Sequence, residues 1–85
     1  MLHIEFDPAK DVSNTAKHGV SLARAADLDV VSVVKDDRFA GEQRYRLYGL
    51  IDGQPHCLAA VLRHGVVRVI SLRRAHRKEY GRHVG

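Results

Sequence analysis

The chain has 85 residues, a formal net charge of +4, and hydrophobic residues make up 45 % of it. This length favours one small domain, residues 1–85, with a single core. No run approaches the roughly 18 apolar residues that a membrane span needs, and the N-terminus lacks the basic start and long apolar stretch of a signal peptide. We therefore expect a cytoplasmic protein with no membrane association.

The chain opens with a strand pattern followed by two helix patterns. Apolar and polar residues alternate from residue 2 to residue 6, which is the period of a strand with one buried face. Asp7 and Pro8 predict a helix start, because an aspartate can accept from the free amides and a proline needs no amide partner there. Gly19 predicts the end of that helix. A short second helix follows, with Ser21 as its cap.

Four strand-like runs and a last helix make up the rest of the chain. The runs are residues 30–34, 44–51, 56–63 and 66–72, and the helix is residues 74–82. Asp52-Gly53 and His64-Gly65 lie at two of the junctions and are typical of tight turns between antiparallel neighbours. The pattern predicts an α+β fold: an antiparallel β-sheet with two N-terminal helices and a C-terminal helix, all packed on one face.

Positive charge is concentrated towards the end of the chain. Residues 63–85 hold seven Lys and Arg residues and a single Glu, a net +6, whereas the preceding residues have a net charge of −2. A local positive field is what a phosphate-binding face requires. The alternative is a basic segment that keeps the protein soluble or docks an acidic partner.

Neither metal chemistry nor a serine nucleophile is indicated by the residue spacing. No two of the six histidines have the three- or four-residue spacing of a helical zinc pair, and Cys57 is the only cysteine. Cys57 precedes an apolar run and is expected to be a small buried hydrophobe. No nucleophile elbow or glycine-rich phosphate loop is present. We expect no metal and no other cofactor.

The remaining candidates are the charged side chains near the last strand. Cleavage of RNA without a metal needs a base for the 2′-hydroxyl proton, cations for the charge on the phosphorane, and an acid for the departing 5′-oxygen. Arg68 interrupts an apolar run, where an arginine must face solvent, a partner or a ligand. Arg73 lies at the strand end. On a regular strand the two point to opposite faces, so they converge only if the chain bends or turns helical near Leu72.

Several neighbouring residues have a structural alternative to a functional role. Arg74 and Arg77 are typical of a solvated helix face. Glu79 could pair with a helical neighbour such as Arg82, three residues on. Tyr80 could be a core or rim aromatic, or it could stack on a nucleobase.

Three motifs of the chain resemble those of the BrnT family of type II toxins, in the same order and spacing. They are "FDPAKDVSNTAKHGVS", "DDR…GEQRYRLYGLIDG" and "RVISLRRAHRKEY". The resemblance implies a RelE-like fold and a toxin that acts as a metal-independent endoribonuclease, inhibits growth, and uses 2′-hydroxyl attack to leave a cyclic phosphate. It also implies a BrnA-type antitoxin with a ribbon-helix-helix portion, and a toxin–antitoxin complex through which the protein meets operator DNA.

The resemblance also implies site residues. The family's characteristic positions fall on Asp7, Lys10, Asn14, Lys17, His18, Gly19, Arg44, Gly49, Arg68, Ser71, Arg73, Ala75 and Glu79. Among these and their neighbours, we place catalysis on Arg68 and Arg73 as phosphate and transition-state cations, with Glu79 or His76 as the proton acceptor. The candidate substrate-binding residues are Arg44, Lys17, His18, Arg74, Arg77 and Tyr80.

A second hypothesis uses the same residues without chemistry. In it, the basic edge of the protein grips an acidic antitoxin segment or nucleic acid and does not cut it. RNA that stays intact while binding tightly would favour this hypothesis over the nuclease.

Overall fold

In a computed structural model, the described residues 2–84 form five strands, two α-helices and one 3-10 helix. In chain order these are β1 Ile4–Glu5, α1 Pro8–His18, the 3-10 helix Leu22–Asp27, β2 Asp29–Asp36, β3 Arg44–Ile51, β4 Gln54–Arg63, β5 Val66–Arg74 and α2 Arg77–Val84. Every predicted element is present in the predicted order. The second helix is a 3-10 helix, and the last helix begins three residues later than predicted because β5 continues to Arg74.

The predicted helix signals at the N-terminal end are confirmed. Asp7 caps α1 by accepting from the amide of Ala9 at 2.9 Å, and Pro8 is the first helical residue. Gly19 ends the helix in the left-handed conformation with φ 74°, which glycine adopts without strain. Ser21 caps the 3-10 helix as predicted. These helix ends could be predicted from the sequence because each depends on only one or two neighbouring residues.

The five strands form one sheet in the order β1-β5-β4-β3-β2. Strands β2 to β5 are antiparallel neighbours, joined at β3–β4 and β4–β5 by the predicted tight turns with positive φ at Asp52-Gly53 and His64-Gly65. β1 pairs with β5 in parallel, so the prediction of an antiparallel sheet was wrong for this strand. The alternation of side chains identifies a strand and its buried face, but it carries no information on the direction of the partner.

The two faces of the sheet are covered by different helices. Leu47, Leu58 and Leu72 pair across β3, β4 and β5 on the face that packs against the 3-10 helix, where Leu22 and Ala25 are fully buried. α2 lies on the opposite face, so the prediction that all helices share one face was wrong. Side chains alternate between the two faces of a strand, and on the face under α2 Tyr48, Cys57 and Val61 are also buried.

The side chain of Asn14 takes the place of a missing strand beside β5. Its amide nitrogen donates to the carbonyl of Leu72 at 2.8 Å, and its oxygen accepts from the Leu72 amide at 3.2 Å. The same nitrogen also donates to the carbonyl of Val20 at 2.9 Å. Since β1 is only two residues long, this part of the β5 edge would otherwise be buried without hydrogen-bond partners. Asn14 thus fixes α1 to the last strand.

Gly49 marks a close approach between β2 and β3. A side-chain carbon added there would lie 2.1 Å from the carbonyl oxygen of Asp29. That separation is far below contact distance, so any larger residue would push the two strands apart.

None of the helices in residues 2–84 has the length and apolar character that a membrane crossing requires.

Candidate active site

The face of the sheet under α2 carries three rows of side chains that run across β3, β4 and β5. The middle strand contributes small or medium side chains, and its neighbours contribute mostly arginines. The rows are Arg44, Val61 and Arg68; Arg46, Ala59 and Ser71; and Tyr48, Cys57 and Arg73. Because the middle side chains are short, the face forms a trough about 13 Å long between the first and third rows. We call these nine residues the arginine groove.

A β-bulge places Arg68 and Arg73 on the same side of β5. The pairing slips by one residue between Ala59 and Ala60 of β4, which leaves Ile70 as an extra residue in β5. One extra residue reverses the alternation of faces beyond it. The bend that the sequence required for the two arginines to converge is therefore present.

Arg73 and Glu79 form the best-ordered polar contact of the groove. Both terminal nitrogens of the Arg73 guanidinium donate to the Glu79 carboxylate, at 2.8 and 2.7 Å. The hydroxyl of Tyr48 donates to the same carboxylate at 2.8 Å and accepts from Arg46 at 3.0 Å. Both oxygens of Glu79 are thus occupied. Its partner is Arg73 and not the helical neighbour Arg82.

The charges in this network hold each other in their ionised forms. The hydrogen bonds from Arg73 outweigh burial and lower the pKa of Glu79 to about 2, and the hydrogen bond from Tyr48 acts in the same direction. The Glu79 carboxylate in turn raises the pKa of Arg73. Burial raises the pKa of the Tyr48 hydroxyl, which therefore stays protonated at neutral pH. In this arrangement Glu79 is a weak base and Arg73 is a fixed cation.

Helix α2 covers one end of the groove without burying any of its own residues. The ring of His83 stacks on that of Tyr48, with centroids 4.8 Å apart, and Tyr80 meets the same ring edge to face at 6.4 Å. Tyr48 itself is fully buried, and Cys57 beside it is 2 % exposed, as predicted for a small buried hydrophobe. The helix lies against β2, β3 and β4, and aromatic contacts with Tyr48 and the ion pair with Arg73 connect it to the groove.

The other end of the groove is open and strongly cationic. Arg44 and Arg68 flank Val61, and Lys10 of α1 lines the cleft that they form. Arg68 lies 3.7 Å from the carboxylate of Glu5, with more than a third of its side chain exposed. Such a pair at the surface contributes little and leaves Arg68 accessible to a ligand.

A separate shallow cleft joins α1 to the bulge. Lys10, Lys17, His18 and Ser13 line it on the helix side, and Ile70 and Ser71 line it on the β5 side. Ile70 also lines the cleft at the open end of the groove and the cleft between Arg44 and Arg73. The two substrate-binding candidates of α1, Lys17 and His18, therefore lie on a surface that continues into the arginine groove.

Three sequence-derived candidates lie apart from the groove. Arg74 points to the opposite face, where it donates to Gln54 and lines a cleft with His18 and Asp52. Arg77 and His76 are exposed at the start of α2, and neither lines the clefts described here.

Sequence reasoning missed two polar residues of the groove, Arg46 and Tyr48. Arg46 has a buried Nε that lies 3.8 Å from Asp36 and lacks a hydrogen-bond partner among the described residues. Tyr48 is fully buried, and it was not among the site residues that the sequence indicated. Residues 44, 46 and 48 share one face of a strand by simple alternation, and that period of two would have placed both beside Arg44.

The clefts hold many cations but no clear metal site. In residues 2–84, no three His, Cys, Asp or Glu side chains come together in an arrangement that could hold a metal ion. The carboxylates around the groove are each paired with an arginine: Asp36, Glu79, Glu5 and Glu42. The arrangement is suited to holding an anion by guanidinium groups.

The fold and the groove define a class of protein: a small α+β domain whose mixed sheet presents arginines from two strands beside a short, lightly packed C-terminal helix. The family described as "Ribonuclease toxin, BrnT, of type II toxin-antitoxin system" matches residues 6–79. The chain belongs to this family. It is thus a BrnT-family ribonuclease toxin of a type II toxin–antitoxin system, in agreement with the resemblance of its motifs.

Comparison with solved structures gives a consistent fold. The crystal structure of the Brucella abortus ribonuclease toxin BrnT superposes with a TM-score of 0.68 at 23 % sequence identity, covering 91 % of this chain and 100 % of that one. At this identity the likeness concerns the fold. A comparison with proteins of curated function finds no match.

Proposed function

We propose that the chain is an endoribonuclease that cleaves RNA without a metal, by attack of the 2′-hydroxyl on the adjacent phosphate. The observation that carries this proposal is the arginine groove, in which the bulge at Ile70 brings Arg68 and Arg73 to one face of β5, beside the short side chains of β4. Guanidinium groups held at fixed positions can offset charge that develops on a phosphorane, and they need no reorganisation during the reaction.

The Arg73–Glu79 pair suggests how substrate starts the reaction. A phosphate that takes the two donors of Arg73 displaces Glu79, since one guanidinium fork accommodates one bidentate anion. The hydrogen bonds from Arg73 are the main cause of the low pKa of Glu79, so Glu79 becomes a stronger base once Arg73 has bound the phosphate. It then takes the 2′-hydroxyl proton, the 2′-oxygen bonds to phosphorus, and the bond to the 5′-oxygen breaks. The leaving 5′-oxygen takes a proton from solvent, so the products are a 2′,3′-cyclic phosphate and a 5′-hydroxyl.

Tyr48 and Arg46 would act as positioning residues for this step. The Tyr48 hydroxyl donates to Glu79 and is itself held by Arg46, so the carboxylate keeps an anchor after Arg73 is taken. His76 is the second candidate for the proton acceptor. It is exposed one residue before α2, and its backbone amide contributes to the low pKa of Glu79.

The remaining cations would bind the RNA backbone away from the scissile bond. Arg44 lies at the open end of the groove, Lys10 extends the groove there, and Lys17 and His18 extend it along α1. Tyr80 of α2 meets the ring of Tyr48 at the covered end and would contact the RNA strand there, whereas Arg77, exposed at the start of α2, would bind backbone phosphates outside the groove. Arg74 is left out of this path, because it faces the opposite side of the sheet.

One observation favours the second candidate function, a binding module that does not cut. Both oxygens of Glu79 accept hydrogen bonds and its pKa is about 2, so the groove as it stands offers no strong base. As a binding module, the groove would hold an acidic antitoxin segment or nucleic acid within a complex and would not cut it.

Proteins of this family act with an antitoxin, and we propose a BrnA-type antitoxin with a ribbon-helix-helix portion as the partner of this chain. A pI near 9.6 and the open cationic groove support docking of an acidic segment. Operator DNA would then be met through the antitoxin. We also propose a RelE-like arrangement of the sheet and a cytoplasmic location, where the RNA is found.

The test is cleavage of RNA by purified protein in EDTA. New 5′-hydroxyl and cyclic-phosphate ends are expected, and they should disappear in Arg73→Ala. Tight binding with intact RNA would favour the binding module, whereas cleavage that needs an added divalent ion would overturn the metal-independent mechanism.

A further inference from the structure

The loop between β2 and β3 presents an aromatic ring at the edge of the arginine groove. Phe39 is 45 % exposed and does not belong to the hydrophobic core cluster. It lines the same cleft as Arg73, Ala59 and Ser71. The ring therefore leaves apolar surface uncovered within a cationic cleft, next to the position where the proposed reaction would take place.

Two guanidinium groups hold this ring in place. The Arg44 guanidinium carbon lies 4.1 Å from the ring centroid, and that of Arg38 lies 5.4 Å from it. Arg38 is itself fixed by Asp36, to which it donates at 2.8 and 2.7 Å. The hydrogen bonds from Arg38 lower the pKa of the buried Asp36 to about 2, so this anchor stays ionised. Phe39 is thus supported by cations rather than by apolar packing.

We propose that Phe39, together with Arg44, forms a stacking platform for one unpaired nucleobase of the bound RNA. The inference rests on the proposed function, since it names how the same groove would select its substrate. Single-stranded RNA exposes the flat faces of its bases, which stack on aromatic rings and on guanidinium planes. Phe39 supplies a ring and Arg44 a guanidinium plane in contact with it.

The composition of the cleft favours a nucleotide over an apolar peptide segment. Arg38, Arg44, Arg46 and Arg73 line it together with Phe39. A nucleotide satisfies both kinds of group, with its base against the ring and its phosphate against the guanidinium groups. An apolar side chain would cover the ring but leave the cations without a partner. Stacking tolerates any base, so we expect only a modest preference, in favour of purines for their larger faces.

The test measures stacking directly with a short 2′-O-methyl RNA that carries the fluorescent base 2-aminopurine at successive positions. This probe lacks the 2′-hydroxyl nucleophile and stays intact. Wild-type protein should quench the fluorescence at one position. Phe39→Ala should abolish that quenching and weaken binding roughly ten- to hundredfold, whereas Phe39→Trp should retain both. Val12→Ala, which removes another exposed apolar side chain outside the clefts, should match wild type.

A second probe, abasic at the quenched position, completes the test. With it, Phe39→Ala and wild type should bind equally, because the base that stacks is gone. Equal quenching by Phe39→Ala and wild type would overturn the platform, as would a Phe39→Ala defect that persists with the abasic probe. A Phe39→Ala variant that loses antitoxin binding but not RNA binding would also overturn it.

Cleavage of native RNA in EDTA separates this inference from the proposed nuclease. If wild type leaves RNA intact but quenching still depends on Phe39, the platform holds and the nuclease fails. If wild type cleaves and Phe39→Ala cleaves and quenches equally well, the nuclease holds and the platform fails. Phe39→Ala should keep the wild-type circular dichroism spectrum, because its side chain lies outside the core.

Discussion

Arg73 and Glu79 face each other across the end of the arginine groove, joined by two hydrogen bonds of 2.8 and 2.7 Å. They come from different elements, β5 and α2, so the pair both neutralises an arginine of the groove and ties the last helix to the sheet. A phosphate that binds Arg73 must compete with this contact.

Arg73→Ala should abolish most RNA cleavage while the fold remains. Removing one preorganised donor to the transition state lowers a rate by about 10²- to 10³-fold. The matched control is Arg74→Ala, which removes the neighbouring arginine from the opposite face of β5 and should cleave RNA close to the wild-type rate. Initial cleavage rates, with circular dichroism to verify folding, measure both. Equal losses in the two variants would place the chemistry elsewhere.

The stability of the protein should depend on the ionisation of Glu79 in acid. Its pKa in the folded state, about 2, lies below its ordinary value of 4.5, so its contribution is fully present above pH 4.5 and is lost as the pH falls towards 2. Urea unfolding of wild type and Glu79→Gln at several pH values would measure this contribution. The difference in unfolding free energy should be about 1–3 kcal/mol at pH 7 and shrink below pH 4.5. A constant difference would contradict the prediction.

Arg68 should contribute to RNA affinity through counterion release. For a single-stranded nucleic acid, each phosphate contact adds about 0.7 to the slope of log affinity against log salt. Arg68→Ala should reduce that slope by about this amount in anisotropy titrations with 2′-O-methyl RNA. The control is Lys35→Ala, which should leave the slope unchanged. Lys35 is exposed on β2 opposite Tyr45 of β3, on the face of the sheet away from the arginine groove. A slope that is insensitive to Arg68 would remove this residue from the groove's binding role.

Two adjacent alanines of β4 separate binding from stability. Ala59 lies on the floor of the groove, whereas Ala60 is fully buried in the core. Ala59→Leu should fill the groove and lower RNA binding at least tenfold, with little change in unfolding free energy. Ala60→Leu should overpack the core and cost about 1–3 kcal/mol. Urea unfolding and RNA titration of both variants provide the comparison, and reversed effects would mean that the faces are assigned incorrectly.

Local features of the fold could be predicted from the sequence, whereas long-range features could not. The helix caps at Asp7 and Gly19 and the tight turn at Asp52-Gly53 depend on single residues whose preferences are strong. The parallel direction of β1 and the face covered by α2 depend on residues far apart in the chain. The alternation within a strand carries no signal for either.

The groove was predictable only in part, for a similar reason. Arg68 was recognisable because an arginine within an apolar strand needs a partner or ligand, and Arg73 because it lies at the end of that strand and on a characteristic position of the family that the motifs resemble. Their convergence depends on an extra residue, Ile70, which can be assigned only when the pairing with β4 is known. Phe39 was missed because a single aromatic residue in a loop has no periodic pattern.

Asn14 should be the most important polar residue of α1 for stability. Its side chain makes three hydrogen bonds to the main chain, two of them with Leu72, the residue that precedes Arg73. Asn14→Ala leaves the amide and carbonyl of Leu72 buried without these partners, so the unfolding free energy should fall by about 2–4 kcal/mol. Thr15→Ala, at the next and exposed position, should change it by less than about 0.5 kcal/mol. Urea unfolding measures both, and equal stability of wild type and Asn14→Ala would show that water replaces the asparagine beside β5.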